Sequence, residues 1–305
     1  MKNSSKKVRM MIVGTIILSI MATANGFTFA QQQAPPTPLT ERLLKAYMDL
    51  PDAQRKAENK RFLEMYKGLR VADVRDGMDW FGYQHYGSLD PKVRPLWRTY
   101  AYGIARTVRY LPYVGPSPLE RGKDYDRWQG MYYNEIATYP WMNEIEEGDF
   151  IALDMSGVDV GLMGSENTLR CLLAGAKGFV LNGAGMRDTE EVIMQKVPVW
   201  NHFVSQAMVQ TRIQFDSKNV PIAIAGVTIF PGDIIVADND GVIVVPRVVA
   251  EEVAKQSHRM LSSDKSARKN LYIQLGRELD ETVEEDTTDR ESLYKRLGWN
   301  DMIRK

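Results

Sequence analysis

"PGDIIVADNDGVIVVP", residues 231–246, is the stretch on which the architecture turns. A Gly-Asp turn opens it, "IIVAD" and "VIVVP" are apolar, β-branched runs, and Asp240-Gly241 lies between them, which predicts two antiparallel strands joined by a tight turn. The same grammar appears upstream in "EGDFIALD" (147–154), where Gly-Asp again precedes an apolar run. Between the two lie "TLRCLLAGA", apolar at helical spacing, "KGFVLNG", a short buried strand ending in a turn, and "PIAIAG", another strand. Strands and helices therefore alternate until a hairpin closes the sheet, and the chain reads as an α/β or mixed β/β/α domain.

The flanks are of different character. From Thr40 to Leu69 the charged pattern predicts two helices split near Pro51, a packing arm. Between Asp79 and Trp141 fall 15 of the 29 Phe, Trp and Tyr residues, interleaved with Gly and Pro. That predicts short strands and long loops whose rings fill the core and subunit contacts rather than line a groove. After Pro246, "RVVAEEVAKQSHRMLSSDKSARKNLYIQLG" predicts a helix with a break at Ser262 and Ser263. Residues 277–305 are strongly charged and read as a solvated terminal helix, with a partner-binding arm as the alternative.

Residues 1–30 have a basic start, an apolar run from Met10 to about Ala22 and small residues at Ala24 and Ala30, the layout of a secretory signal peptide. An uncleaved anchor is the alternative, but the run is shorter than the ~18 to 20 residues of a membrane span. Export to the periplasm or the medium is expected, with no membrane attachment after cleavage. Cleavage removes Lys2, Lys6, Lys7 and Arg9 and no acid, so 39 basic residues become 35 against 39 acidic ones, a net charge of −4. Such a balance offers no electrostatic footprint for nucleic acid. The one cysteine, Cys171, forms no internal disulfide and sits on the apolar face of a helical pattern, as a small core residue rather than a nucleophile.

The chemistry that remains is that of oxygen. His85, His202 and His258 are the only histidines and none is at metal-ligand spacing from another, which argues against a His-rich zinc centre. "GAGMRD" lacks the lysine of a phosphate loop and the full dinucleotide fingerprint. The strand "GFVLNG" should end in a turn at Gly183–Gly185 and present Arg187 and Asp188 at its carboxyl end, where open α/β sheets hold ligands. A guanidinium there suits a carboxylate or 2-oxo acid, and an adjacent aspartate suits Mg²⁺ or Mn²⁺, hard ions that keep several waters. Arg-Asp pairs are more often surface ion pairs, and that alternative stays open on residues alone.

Three segments together resemble the RraA-like family over about Arg70 to Gly276: the acid-x20-Arg-Asp spacing at Glu166, Arg187 and Asp188, "AGAKGFVLNGAGMRD", and "VTIFPGDIIVADNDGVIVVP". That family includes 4-hydroxy-4-methyl-2-oxoglutarate aldolases, oxaloacetate decarboxylases and the regulator of ribonuclease activity. The resemblance implies a swivelling β/β/α fold assembled as homotrimers or hexamers. It also implies that Asp188 holds the divalent metal, Arg187 binds the pyruvyl carboxylate and the developing enolate oxygen, and Glu166 orders a water for proton transfer. Backbone N–H groups of Gly164, Ser165, Glu166, Asn167 and Thr168 would face the substrate carboxylate, and Asp264 is the positional match for an acid supplied by the neighbouring subunit. Two departures stand out: Glu166 replaces an Asp, and Asn182-Gly183 replaces an Asp-Gly strand end.

The expected organisation is a signal peptide (1–30), a linker and helical arm (31–69), the RraA-like domain (70–276) and a charged C-terminal extension (277–305). The expected function is an exported, metal-dependent carbon–carbon lyase, an aldolase or decarboxylase, acting through an enolate on a 2-oxo acid or related carbonyl compound. Two alternatives come with it: a non-catalytic oligomeric binding or regulatory protein, and a lyase for a bulkier keto-sugar or aromatic acid with the aromatic region as a stacking wall.

Overall fold

A computed structural model describes residues 39–116, 125–183, 185–284 and 287–303. The chain divides into two units, Met1–Arg42 and Leu43–Lys305, and the fold below is that of the second. The signal-peptide and linker assignments lie outside the described residues.

Helices α1 (Leu39–Met48) and α2 (Asp52–Tyr66) are separated at Pro51, and α3 (Val71–Trp80) follows. The short strand β1 (Arg94–Pro95) precedes β2 (Ala101–Pro112). Beyond α4 (Tyr125–Met131) the chain alternates through β3 (Asp149–Asp154), α5 (Ser165–Ala174), β4 (Gly178–Asn182), α6 (Thr189–Met194) and β5 (Val199–Asn201). Five strands then run without a helix: β6 (Ile213–Lys218), β7 (Ile222–Ile224), β8 (Val227–Ile229), β9 (Ile234–Asp238) and β10 (Gly241–Val245). The long α7 (Ala250–Gln274) and α8 (Thr287–Leu297) complete the described chain.

The main sheet has the order β1-β5-β4-β3-β2-β9-β10, with β6 on the outer half of β2 and β7-β8 as a separate hairpin. Strands β2, β3, β4 and β5 are successively parallel, so the α5 and α6 crossovers place all their carboxyl ends at one end of the sheet. The β9-β10 hairpin pairs Asp238 with Gly241 as the sequence predicts, and the Ser88–Ile243 bridge and the Arg94 bonds to Asn239 and Asp240 carbonyls bring β1 towards β10, nearly closing the sheet.

Both faces of this sheet are buried, which explains the near-continuous apolar strands. Period-two alternation sends Ile234, Val236, Ile243 and Val245 outward against the helices and Ile235, Ala237, Val242 and Val244 into the sheet interior with Phe150, Ala152 and Trp200. Ile151, Leu153, Phe179 and Leu181 face a third cluster with Tyr110, Tyr132 and Trp141.

Three expectations need correction. The aromatic region contains a 12-residue strand, β2, rather than short strands alone: its two edges pair with β3, β9 and β6, and the ladder compensates for its interior glycine. Of its fifteen rings, Tyr110, Trp128, Tyr132 and Trp141 are buried, whereas Trp80, Phe81, Tyr100 and Tyr125 are exposed. Helix α7 runs unbroken through Ser262 and Ser263, and the Ser262 hydroxyl accepts a hydrogen bond from Arg290 of α8. The charged tail is docked rather than solvated. Tyr294, Leu297 and Trp299 are at most 5% exposed, the Trp299 indole donates to Glu251 (2.9 Å), and Arg61 donates to the Leu297 carbonyl (3.0 Å). Its charges hid this from pattern reading because they lie on the outside, where Asp301 pairs with Lys255 and Arg259.

Candidate functional site

Three loops meet at the carboxyl ends of the parallel strands: β3 to α5, β4 to α6, and the segment after β5. Met186 bridges Met163 on one side and Val204 on the other, and Arg187 N–H donates to the Met163 carbonyl at 3.0 Å. Gly183 and Gly185 take positive φ (89° and 61°), where only glycine is unstrained, and so turn the chain out of β4. Arg187 and Asp188 follow immediately.

Asp188 itself is left-handed (φ 54°, ψ 42°) and stands at the N-terminal boundary of α6. A non-glycine residue in this region stores backbone strain, and such strain concentrates at functional positions. Its carboxylate accepts a bond from Arg187 Nε (3.2 Å) through Oδ1 and a long one from the Ser165 N–H (3.4 Å) through Oδ2. Asp188 thereby faces the amino end of α5, whose first N–H groups have no partner within the helix and favour negative charge.

Two glycines make this arrangement sterically feasible. A Cβ at Gly161 would lie 2.6 to 2.7 Å from Cγ, Cβ and Cδ of Arg187, and one at Gly164 would collide with the Asp188 carboxylate. The Arg-Asp pair therefore rests on a glycine floor in the β3–α5 loop. Both side chains are about one-third exposed and open on a cleft of about 330 Å³, shared with Thr189, Val204, Ser205 and Gln206.

The remaining expected site residues are placed differently. Glu166 is largely exposed and pairs with Arg170 (2.6 Å) one turn along α5, not with Asp188. Gly164 stands at the boundary of α5 and Ser165 opens it, and the Ser165 N–H faces Asp188 as described. Asn167 donates to the Leu162 carbonyl at the outer limit of bonding (3.5 Å), and the buried Thr168 hydroxyl donates within its own helix, to the Gly164 and Ser165 carbonyls (3.0 Å each). Asp264 is on α7 with Arg268 (3.3 Å) and Arg70 (3.7 Å), outside the cleft lining. Asn182 donates to Asp154 (2.7 Å) and to the Ala223 carbonyl (3.1 Å), so a carboxylate survives at this rim, on β3 instead of β4. Cys171 is fully buried, and burial pushes its thiol up to about 12, as befits a core residue.

Several site residues are absent from the sequence reading. Gly161 carries a usable signal, the Gly-x-x-Gly spacing just before a helix. Val204, Ser205 and Gln206 carry none, because the pairing of β5 beside β4 and the Met186–Val204 bridge bring them to the cleft. Outside the cleft lining, the Tyr139 hydroxyl lies towards the Leu162 carbonyl (3.4 Å) and Asn167, and burial raises its pKa while the Arg187 charge opposes the rise.

No group of three or more His, Cys, Asp or Glu side chains that could hold a metal ion occurs among the described residues. Asp188 alone is suited to a hard ion that retains most of its water, because Mg²⁺ commonly binds proteins through one or two carboxylates. No helix among the described residues is long and apolar enough to cross a membrane.

The family model for Aldolase/RraA matches residues 71–244. Protein DlpA of Legionella pneumophila is 29% identical over 197 residues, 64% of this chain but 29% of that protein. A Halalkalibacterium halodurans protein, provisionally named a 4-hydroxy-4-methyl-2-oxoglutarate aldolase, is 29% identical over 139 residues, 45% of this chain and 65% of its own length. The chain thus spans less than two thirds of either relative. The crystal structure of Streptomyces coelicolor RraAS2, described as an unusual member of the RNase ES inhibitor RraA protein family, superposes with a TM-score of 0.54 at 23% identity, covering 72% of this chain and 97% of that one, a likeness of fold.

Proposed function

Since the chain belongs to the Aldolase/RraA family, we propose that it is a divalent-metal-dependent carbon–carbon lyase that cleaves a 2-oxo acid, as an aldolase or decarboxylase. The observation that carries this reading is the Arg187-Asp188 pair, held over Gly161 and Gly164 at the mouth of a cleft. Export by residues 1–30 and assembly as a homotrimer or hexamer belong to the same proposal, as does the contribution of Asp264 to a neighbouring copy's site.

In this reading the Arg187 guanidinium binds the substrate carboxylate and the adjacent carbonyl oxygen, where negative charge gathers as the carbon–carbon bond breaks. Asp188 would hold a Mg²⁺ or Mn²⁺ ion, which would supply Lewis acidity for that same charge. The N–H groups opening α5 contribute positive potential from a second direction. Glu166 serves proton transfer through water. Its present partner is no obstacle, because an exposed i,i+4 ion pair is worth only ~0.3 to 0.5 kcal/mol.

The test is pyruvate release from oxaloacetate and from 4-hydroxy-2-oxo acids by purified protein with Mg²⁺ or Mn²⁺. Release that disappears in Arg187→Ala supports the proposal, and no release above that variant refutes it. The second reading, a non-catalytic binding protein, draws on Glu166 being turned towards Arg170, and the same assay decides between the two. In the third, a stacking wall for sugars or aromatic acids, the fully buried Tyr110, Tyr132 and Trp141 take no part, which leaves the exposed Trp80, Phe81 and Tyr100.

A further inference from the structure

At the opposite end of the parallel strands, where Asp149 opens β3, Arg106 occupies the seam between two apolar clusters on the outer face of β2, with Ile104 on one side and Val108 on the other. It is 91% buried, being 9% exposed. Its Nε donates to Asp149, yet neither terminal nitrogen donates to any of the described residues, and neither is sealed from solvent. That guanidinium edge opens on a cleft of about 300 Å³, within the size range of small-molecule sites. Asn219 lines the same cleft. Its backbone is left-handed (φ 53°) and bonds to the Thr107 carbonyl (2.8 Å), while its side-chain amide has no partner among the described residues.

The acids of the cleft are already matched. Glu144 pairs with Lys218, Glu146 with Arg55 through both oxygens (3.0 and 3.1 Å), and Asp149 with Arg106 through its Nε. What lacks a partner is donor capacity: the planar edge of a nearly buried guanidinium and a neighbouring amide. Those donors face the cleft already oriented, and a carboxylate matches the guanidinium edge with two parallel bonds. We propose that this cleft binds a short aliphatic monocarboxylate, its oxygens on the terminal nitrogens of Arg106 and the amide of Asn219. A single negative charge is specified because a second would face Glu144, Glu146 and Asp149. A short apolar tail is specified because Met48 and the Tyr47 ring supply the apolar part of the wall. The site does not share a residue with the Arg187-Asp188 cleft, and its occupancy does not depend on the lyase reading.

Calorimetric titration of the full chain with butyrate, inorganic phosphate and butylammonium at matched ionic strength tests this. Butyrate is expected to bind one per chain, phosphate at least about tenfold more weakly, and butylammonium not at all. Arg106→Lys keeps the charge but loses the fork and should weaken butyrate about tenfold. Asn219→Gly preserves the left-handed backbone while removing the amide, and should weaken it about threefold, the effect of one neutral hydrogen bond. It also remains informative if the Arg106 variant does not fold. Arg187→Ala should bind normally. Absence of butyrate binding at tens of millimolar, phosphate binding as tight as butyrate, unchanged affinity in Asn219→Gly, or loss of binding in Arg187→Ala would each overturn the proposal.

Discussion

Gly161→Ala probes the proposed site without touching any polar group. Gly161 does not adopt a left-handed backbone, so alanine is conformationally acceptable there. The new methyl would, however, sit 2.6 Å from Arg187 Cγ, and ordinary van der Waals contact begins at 3.4 Å, so the arginine stem must retreat by 3.4 − 2.6 = 0.8 Å. Cβ and Cδ are equally close, so the stem moves bodily rather than by rotation of a flexible tip. A displacement approaching 1 Å at a positioning group costs roughly 10²-fold in rate, whereas overpacking of this size destabilises by about 1 to 3 kcal/mol. Steady-state pyruvate release should therefore show kcat/KM down roughly 10²-fold, with circular dichroism at 25 °C unchanged. Because Asp188 lies over Gly164 and not Gly161, Mn²⁺ affinity should hold within a few-fold, while Gly164→Ala should weaken it about tenfold or more. Leu173→Ala, at a side chain 90% exposed on α5, is the neutral control. If Gly161→Ala retains more than half of wild-type kcat/KM, the glycine floor does not position a functional arginine.

Three further outcomes follow from the structure. Burial pushes the Asp233 carboxyl up to about 7, although the Phe230 and Arg247 N–H groups bond to it. Its folded-state pKa is thus above the unfolded value near 3.8, the folded chain keeps a proton that the unfolded chain loses, and stability should fall by up to a few kcal/mol as pH rises from about 4 to 7. Urea midpoints at pH 5 and 7.5 check this, and Asp233→Asn should flatten the difference. Asn182→Asp would set two carboxylates against each other where Asn182 now donates to Asp154 at 2.7 Å. A loss of about 1 to 3 kcal/mol at pH 8, largely recovered near pH 4, is expected in the same urea assay. Trp299→Ala should cost about 3 to 5 kcal/mol in thermal or urea unfolding, since that ring is 2% exposed and its indole bonds to Glu251. A loss below 1 kcal/mol would mean that the tail is not docked.

How much was legible depended on whether the signal was local. The β9-β10 hairpin, the strands at 149–154 and 178–182 and the helix between them are encoded in short apolar runs and turn residues, and each forms where the pattern places it. The position of Arg187 and Asp188 at a strand's carboxyl end was readable for the same reason, from Gly183 and Gly185. Three features were not legible because they depend on distant partners. Ser262 and Ser263 look like helix breakers until Arg290 arrives from α8. The 277–305 segment looks solvated because its few apolar residues, Tyr294, Leu297 and Trp299, are diluted among charges, yet they find a cluster on α2, α3 and α7. Glu166 shows the limit of spacing arguments: the distance along the chain to Arg187 says nothing of Arg170, which lies one helical turn away and takes the carboxylate.

The most direct test of the central claim is a crystal of the protein soaked with Mn²⁺ and oxalate, a mimic of the pyruvate enolate. Anomalous density is expected beside the Asp188 carboxylate, with oxalate joining it to the Arg187 guanidinium above Gly161 and Gly164. Manganese and oxalate bound elsewhere, or a cleft that stays empty at saturating concentrations of both, would contradict it.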